Sequence, residues 1–190
     1  PFYIKPDLVA PGAFINTTDT DGNYKISSGT SFAAPHVAGT AALILQKNPE
    51  LTPQEVKSIL MTTTDIVYDQ FNDRFPIDVS GNGRVNASNA ISADLIIMPP
   101  NLIFDLSSAN QIQTKDLEIR GIDDQSASVR FEENYAADFD YSLDGKNMTI
   151  NAKLTQQNLG YFESRIIISH NEIDYHIPII VRVSEGAITI

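Results

Sequence analysis

The chain has 190 residues, 42% of them hydrophobic, which is enough apolar content for packed cores in one ordinary domain or two small ones. Its formal net charge of -11, with no basic run that could track phosphates, excludes a nucleic-acid partner. The absence of cysteine excludes a disulfide framework, a thiolate metal site and a cysteine nucleophile, and no stretch approaches the roughly 18 consecutive apolar residues of a membrane span.

In chain order, the first feature is Asp19-Thr20-Asp21-Gly22-Asn23. Closely spaced carboxylates with a glycine suit a calcium loop, but no glutamate occupies the twelfth loop position, where Thr30 stands, and Asp-Gly equally marks a hairpin turn. The turn is the favoured reading and structural calcium stays open, as it does for Asp78 to Asn86. From Ser31 to about Lys47 a helix is expected that is apolar around nearly its whole circumference, so it must be surrounded. A second helix starts at Thr52, with Pro53 at the first helical position and Glu55 completing a capping box. A third, short helix follows Gly81-Asn82-Gly83, from near Asn86 through Ala90 and Ile91.

Beyond Met98-Pro99-Pro100 helical periodicity stops. Alternating runs predict strands at Leu102–Leu106, Leu117–Arg120, Ser128–Glu132, Met148–Leu154, Arg165–Ser169 and Tyr175–Val183, with turns at Asp144-Gly145 and His170-Asn171. Roughly 90 residues suffice for a seven-stranded sandwich, so two domains are expected, 1–97 and 98–190. Sequons at Asn16, Asn86 and Asn147 would accept glycans only in a secretory host.

The run Ser28-Gly29-Thr30-Ser31-Phe32-Ala33-Ala34-Pro35-His36-Val37-Ala38-Gly39 carries the chemistry. Gly29 permits a tight turn, and Ser31 opens a long helix whose free amides and dipole favour negative charge, a good place for an oxyanion. This run closely resembles the nucleophile motif of subtilisin-like serine proteases, and Lys5-Pro6-Asp7-Leu8-Val9-Ala10-Pro11-Gly12 resembles the segment that precedes it there. The resemblance continues through Asn48-Pro49, Leu51-Thr52-Pro53 and Gly81-Asn82-Gly83-Arg84-Val85-Asn86-Ala87, in the family's order. It implies that residues 1–97 are the C-terminal portion of an α/β three-layer catalytic domain, with Ser31 as catalytic nucleophile and its backbone N–H as one oxyanion donor. Residues 98–190 look like the fibronectin-III-like all-β sandwich that follows many such catalytic domains.

A serine needs a histidine base held by a carboxylate. The family places both upstream of the serine, together with an oxyanion asparagine, yet no histidine precedes Ser31 and no such segment is recognisable. His36 is rotated about 140° from Ser31 along the helix and is expected to be a packed structural residue. His170 and His176 read as ordinary strand and turn residues.

The sequence begins at Pro1 in dense motif sequence, which reads as a boundary inside a larger precursor, with targeting information upstream. The expected function is therefore serine endopeptidase activity on protein or peptide substrates, completed by an N-terminal segment of the same protease carrying Asp, His and Asn. The alternative is a non-catalytic β-sandwich interaction module of a processed precursor. No organic cofactor is implied, and family habit points to an extracellular or cell-envelope location.

Overall fold

The computed structural model describes residues 3–107, 111–121, 127–132, 136–156 and 158–185. These carry ten strands and four helices, a mostly β chain, in two compact units, Pro1–Ser92 and Ala93–Ile190.

In the first unit, β1 (Ile15–Thr18) and β2 (Tyr24–Ser27) form an antiparallel hairpin. Its turn is Asp19–Asn23, closed by the Asp19 N–H donating to the Asn23 carbonyl at 2.8 Å. The Asp19 carboxylate accepts from Lys25 Nζ at 2.9 Å and the Thr20 N–H at 2.8 Å, and Asp21 accepts from the Asn23 N–H at 3.0 Å. Both carboxylates thus serve the turn, and the Lys25 hydrogen bond holds Asp19 below the usual carboxylate range. The hairpin was not among the strands expected from sequence, although Asp21-Gly22 between Ile15/Thr17 and Tyr24/Ile26 is its signal.

Helix α1 (Thr30–Lys47) follows, then α2 (Pro53–Thr62), the short α3 (Ile77–Ser80) and α4 (Ala87–Ser92). The capping box of α2 is formed: the Thr52 N–H donates to Glu55 Oε2 at 2.6 Å and the Glu55 N–H to Thr52 Oγ1 at 3.4 Å. α2 is buried along most of its length. It ends in the buried run Thr62-Thr63-Thr64, whose hydroxyls donate to the carbonyls of Ser58, Ile59 and Asn82, so no hydroxyl of the run is left unmatched. Asn86 caps α4, accepting from the Asn89 N–H at 2.9 Å.

Helix α1 forms where the apolar pattern predicts, but it is not surrounded. Among its residues only Thr40 and Ile44 are buried, while Leu43 and Leu45 remain 45% and 39% exposed. Its local chemistry is unfavourable too: Pro35 inside the helix costs about 3 kcal/mol and Gly39 about 1 kcal/mol relative to alanine. Gly29 at its N-terminus offers no side-chain cap. Burial of Ile44 returns only about 2–3 kcal/mol, so α1 depends on packing that the described residues do not supply.

The second unit holds two four-stranded sheets, ordered β4-β10-β9-β6 and β3-β5-β8-β7. The strands are β3 (Ile96–Met98), β4 (Leu102–Leu106), β5 (Ile112–Arg120), β6 (Ser128–Phe131), β7 (Ala137–Asp144), β8 (Asn147–Leu154), β9 (Gly160–His170) and β10 (Ile173–Val183). Only β4 and β10 pair in parallel; the other neighbours are antiparallel. Alternate residues point inward, such as Met148, Ile150, Ala152 and Leu154 of β8 and Tyr175, Ile177, Ile179 and Val181 of β10, and the two sheets share one buried cluster. Asn171 and Glu172, with φ of 46° and 65°, make the tight turn between β9 and β10. The unit begins before the sequence-derived boundary at residue 97, because Ile96–Met98 is hydrogen-bonded to Ile119 and its neighbours as an edge strand.

One buried side chain ties down the start of this unit. Tyr175 Oη donates to Asp94 Oδ1 at 2.9 Å and accepts from the N–H groups of Asp94 and Leu95 at 3.1 and 3.2 Å. Asn171 Nδ2 adds a hydrogen bond to Asp94 Oδ2 at 2.5 Å. Burial pushes the Tyr175 hydroxyl up to about 12, so it stays a neutral donor. Tyr175→Phe strands two backbone donors and a carboxylate oxygen, and a loss of about 2–3 kcal/mol is expected in urea unfolding of the strand unit.

His176, on the same strand, is also buried. Burial, reinforced by the Arg165 charge, lowers its pKa below the ordinary histidine value. The unfolded chain therefore binds the proton more readily than the folded one, and stability present above about pH 6.5 falls as pH drops through the folded pKa. Calorimetry should find the strand unit melting lower at pH 5 than at pH 7.5, and His176→Gln should flatten that dependence.

Candidate active site

Ser31 is the second residue of α1 and is exposed. At a helix start the first amides have no partner in the helix. The Phe32 N–H reaches the Gly29 carbonyl at 3.0 Å, whereas neither the N–H nor the hydroxyl of Ser31 is hydrogen-bonded among the described residues. The serine thus presents a free hydroxyl and a free amide at the positive end of an 18-residue helix.

The turn before it is fixed by the preceding motif segment. The Gly29 N–H donates to the Gly12 carbonyl at 2.7 Å, and a Cβ on Gly12 would lie 2.8 Å from the Gly29 oxygen and 3.2 Å from Ala33 Cβ. Only glycine allows that approach. Ser28 Oγ accepts from the Phe14 N–H at 2.9 Å, joining the turn to the start of the β1–β2 hairpin.

Further back, residues 7–9 are strapped to the Gly81-Asn82-Gly83 loop. The Val9 N–H donates to the Gly83 carbonyl at 2.9 Å, the Val85 N–H to the Val9 carbonyl at 2.8 Å and the Asn82 N–H to the Asp7 carbonyl at 3.1 Å. The Asp7 carboxylate takes Lys5 Nζ at 2.7 Å and Lys57 Nζ at 3.1 Å. Burial alone would raise its pKa, but these two lysines hold it below the usual carboxylate range. Arg84 and Asp65 exchange backbone hydrogen bonds at 2.8 and 2.9 Å, and Asn86 Nδ2 donates to Asp65 Oδ1 at 2.8 Å. The motif segments that stand apart in sequence therefore meet in one backbone-bonded frame behind the serine turn.

The three histidines are engaged elsewhere. His36 Nδ1 donates to the Phe32 carbonyl at 2.8 Å, so its ring folds back on its own helix; it is exposed rather than packed as expected, because the face of α1 that carries it is uncovered. His170 lies buried with Nε2 3.1 Å from Asn171 Nδ2 and 3.5 Å from Asp94 Oδ2. His176 is the buried residue of β10 described above. Among the described residues no group of three or more His, Asp or Glu side chains gathers as a metal site.

An open apolar groove of about 440 Å³ runs between α1 and α2, lined by Leu8, Val37, Leu45, Leu51, Val56 and Leu60 among others. Sequence reasoning identified the serine and its helix but not the Gly12–Gly29 approach, the Ser28–Phe14 hydrogen bond or this groove. The glycine of Pro11-Gly12 was the available signal for the first.

Comparison with known proteins matches the Subtilase family to residues 1–94. The minor extracellular protease Vpr of Bacillus subtilis is 33% identical over 151 residues, covering 76% of this chain and 18% of Vpr. That span exceeds the family match, so the likeness to Vpr continues into the strand unit. The subtilisin-like protease SBT2.5 of Arabidopsis thaliana is 38% identical over 128 residues, 54% of this chain and 15% of that protein. The serine protease AprX of Bacillus subtilis is 41% identical over 101 residues, 46% of this chain and 22% of AprX. The chain spans about a fifth or less of the length of these relatives. With the serine motif, the strap segments and the helix order all falling inside the matched stretch, the chain belongs to the subtilase family through its residues 1–94.

Proposed function

We propose that this chain is the nucleophile-bearing part of a serine endopeptidase, in which Ser31 attacks the scissile carbonyl and its backbone N–H receives the resulting oxyanion. The observation that carries the reading is the free hydroxyl and free amide of Ser31 at the exposed N-terminus of α1. There the oxygen that becomes negative in the tetrahedral intermediate would meet a preorganised donor and a favourable dipole.

The base, its carboxylate and the second oxyanion donor come from an N-terminal segment of the same protease. What supports this is the uncovered apolar circumference of α1 and the open groove beside it, surfaces of a size and polarity that proteins bury. In that assembly the first unit, Pro1–Ser92, completes an α/β three-layer catalytic domain. The two sheets of the strand unit, Ala93–Ile190, act as a fibronectin-III-like β-sandwich. The Ser31 hydroxyl proton passes to the incoming histidine, which hands it to the departing amine as the scissile C–N bond breaks and the acyl group stays on Ser31. Water, deprotonated by the same base, then releases the acid, and the histidine returns the proton to the Ser31 oxygen. Acyl transfer by this route uses no organic cofactor. Extracellular or cell-envelope placement is supported by the name of the relative Vpr. Substrates are proteins or peptides.

Hydrolysis of a fluorogenic peptide library tests the reading. A precursor extended upstream through the Asp, His and Asn segments should cleave it, and the 190-residue chain should not. An extended precursor without activity on any member would favour a β-sandwich interaction module instead.

A further inference from the structure

We propose that residues 11–47, the segment carrying Ser31, become ordered only when the upstream segment binds, while the strand unit Ala93–Ile190 is folded beforehand and anchors the chain. The identity of the binding segment rests on the function proposed above; the difference in order between the two units does not.

The extended buried cluster among the described residues lies wholly in the strand unit, where residues of both sheets are excluded from water. The Ser31 segment has no such core. Its helix buries Thr40 and Ile44 alone, contains Pro35 and Gly39, and starts at a glycine without a side-chain cap. By contrast α2, in the same unit, has a complete capping box and a buried face.

The hydrogen bonds that shape the serine turn close on the segment itself: Gly29 to Gly12, and Phe14 to Ser28. They set the local geometry but attach it to nothing outside. What leaves the segment comes from α1, which rests against α2 and α4 while burying only Thr40 and Ile44, and from its far end, where Lys47 Nζ donates to the Ile91 carbonyl at 2.7 Å. A segment with few buried apolar side chains and an exposed hydrogen-bonded backbone sits at the low end of local stability. The serine turn then takes shape together with the rest of the catalytic centre, so the nucleophile is held in attacking geometry only once its base is present.

Hydrogen exchange followed by mass spectrometry on the full 190-residue chain tests this. In the chain alone, amides of β9 and β10 should exchange at least about 1,000-fold more slowly than those of α1. Adding the upstream segment should slow α1 by at least about 100-fold and leave β9 and β10 unchanged. Amides of α1 as protected as those of β9 in the chain alone would overturn the proposal, and so would α1 amides that stay fast after the segment is added. Ser31→Ala should give the same exchange pattern, since ordering does not use the hydroxyl. If α1 becomes protected in a wild-type complex that cleaves nothing, the protease reading fails while the coupled ordering stands.

Discussion

Replacing Ser31 by alanine in the upstream-extended protein should abolish peptide hydrolysis, with turnover falling by on the order of 10⁶-fold, the scale on which a catalytic triad fails without its nucleophile. The fold should not notice. Ser31 is exposed, its hydroxyl makes no hydrogen bond among the described residues, and alanine suits an early helical position, so stability should change by less than about 0.5 kcal/mol. Because the oxyanion donor assigned to this residue is a backbone amide, the variant should retain a residual rate above that of water. Steady-state hydrolysis and denaturant unfolding on the same preparation separate the two effects. Wild-type turnover in the variant would remove Ser31 from the chemistry.

Gly83→Ala should be among the most damaging single changes for stability in the first unit. Gly83 holds φ at 136°, and a Cβ there would overlap the Asp65 carbonyl oxygen and lie 2.9 Å from Thr64 Oγ1. Thr64 cannot swing away freely, because it is buried and its hydroxyl donates to the Asn82 carbonyl at 2.8 Å. Backbone strain of about 1–3 kcal/mol and overpacking of about 1–3 kcal/mol then act together, for a loss of about 3–5 kcal/mol. Gly81, at φ 59°, should behave alike, since its Cβ would overlap the Pro6 carbonyl and approach the Asp7 carbonyl at 2.7 Å. The Gly81 change pushes the loop away from residues 6 and 7, and the Gly83 change pushes it away from Thr64 and Asp65, just beyond α2. Unfolding monitored by hydrogen exchange should show the first unit destabilised and the strand unit unmoved. A shift below about 0.5 kcal/mol would mean that the loop relaxes without cost.

What was legible from sequence followed strong local chemistry. Thr52-Pro53-Gln54-Glu55 encodes a helix start at every position, and α2 forms there. The alternation of β8 and β10 is enforced by a shared buried cluster, so their inward residues could be read directly. β7 was missed although Ala137, Phe139, Tyr141 and Leu143 alternate strictly with Asp138, Asp140, Ser142 and Asp144, which is the period-two signal of a strand; the three aspartates, poor strand formers, mask it. β3 was missed because three residues before paired prolines carry too little pattern. The serine turn was found through its motif, but its support was not, since the Gly12–Gly29 approach and the Gly81–Gly83 strap depend on backbone contacts between distant segments. The apolar pattern of α1 announced a helix, and the helix forms, but the expected enclosure is not met: only Thr40 and Ile44 of its residues are buried.

The most direct measurement is fluorophosphonate labelling of the chain with and without its upstream segment, with the adduct located by mass spectrometry and Ser31→Ala as control. An adduct at Ser31 that appears only when the upstream segment is present is the result this account predicts, because an activated serine needs both the base and the ordered turn. Labelling of Ser31 in the chain alone, or no labelling in either state, would contradict it.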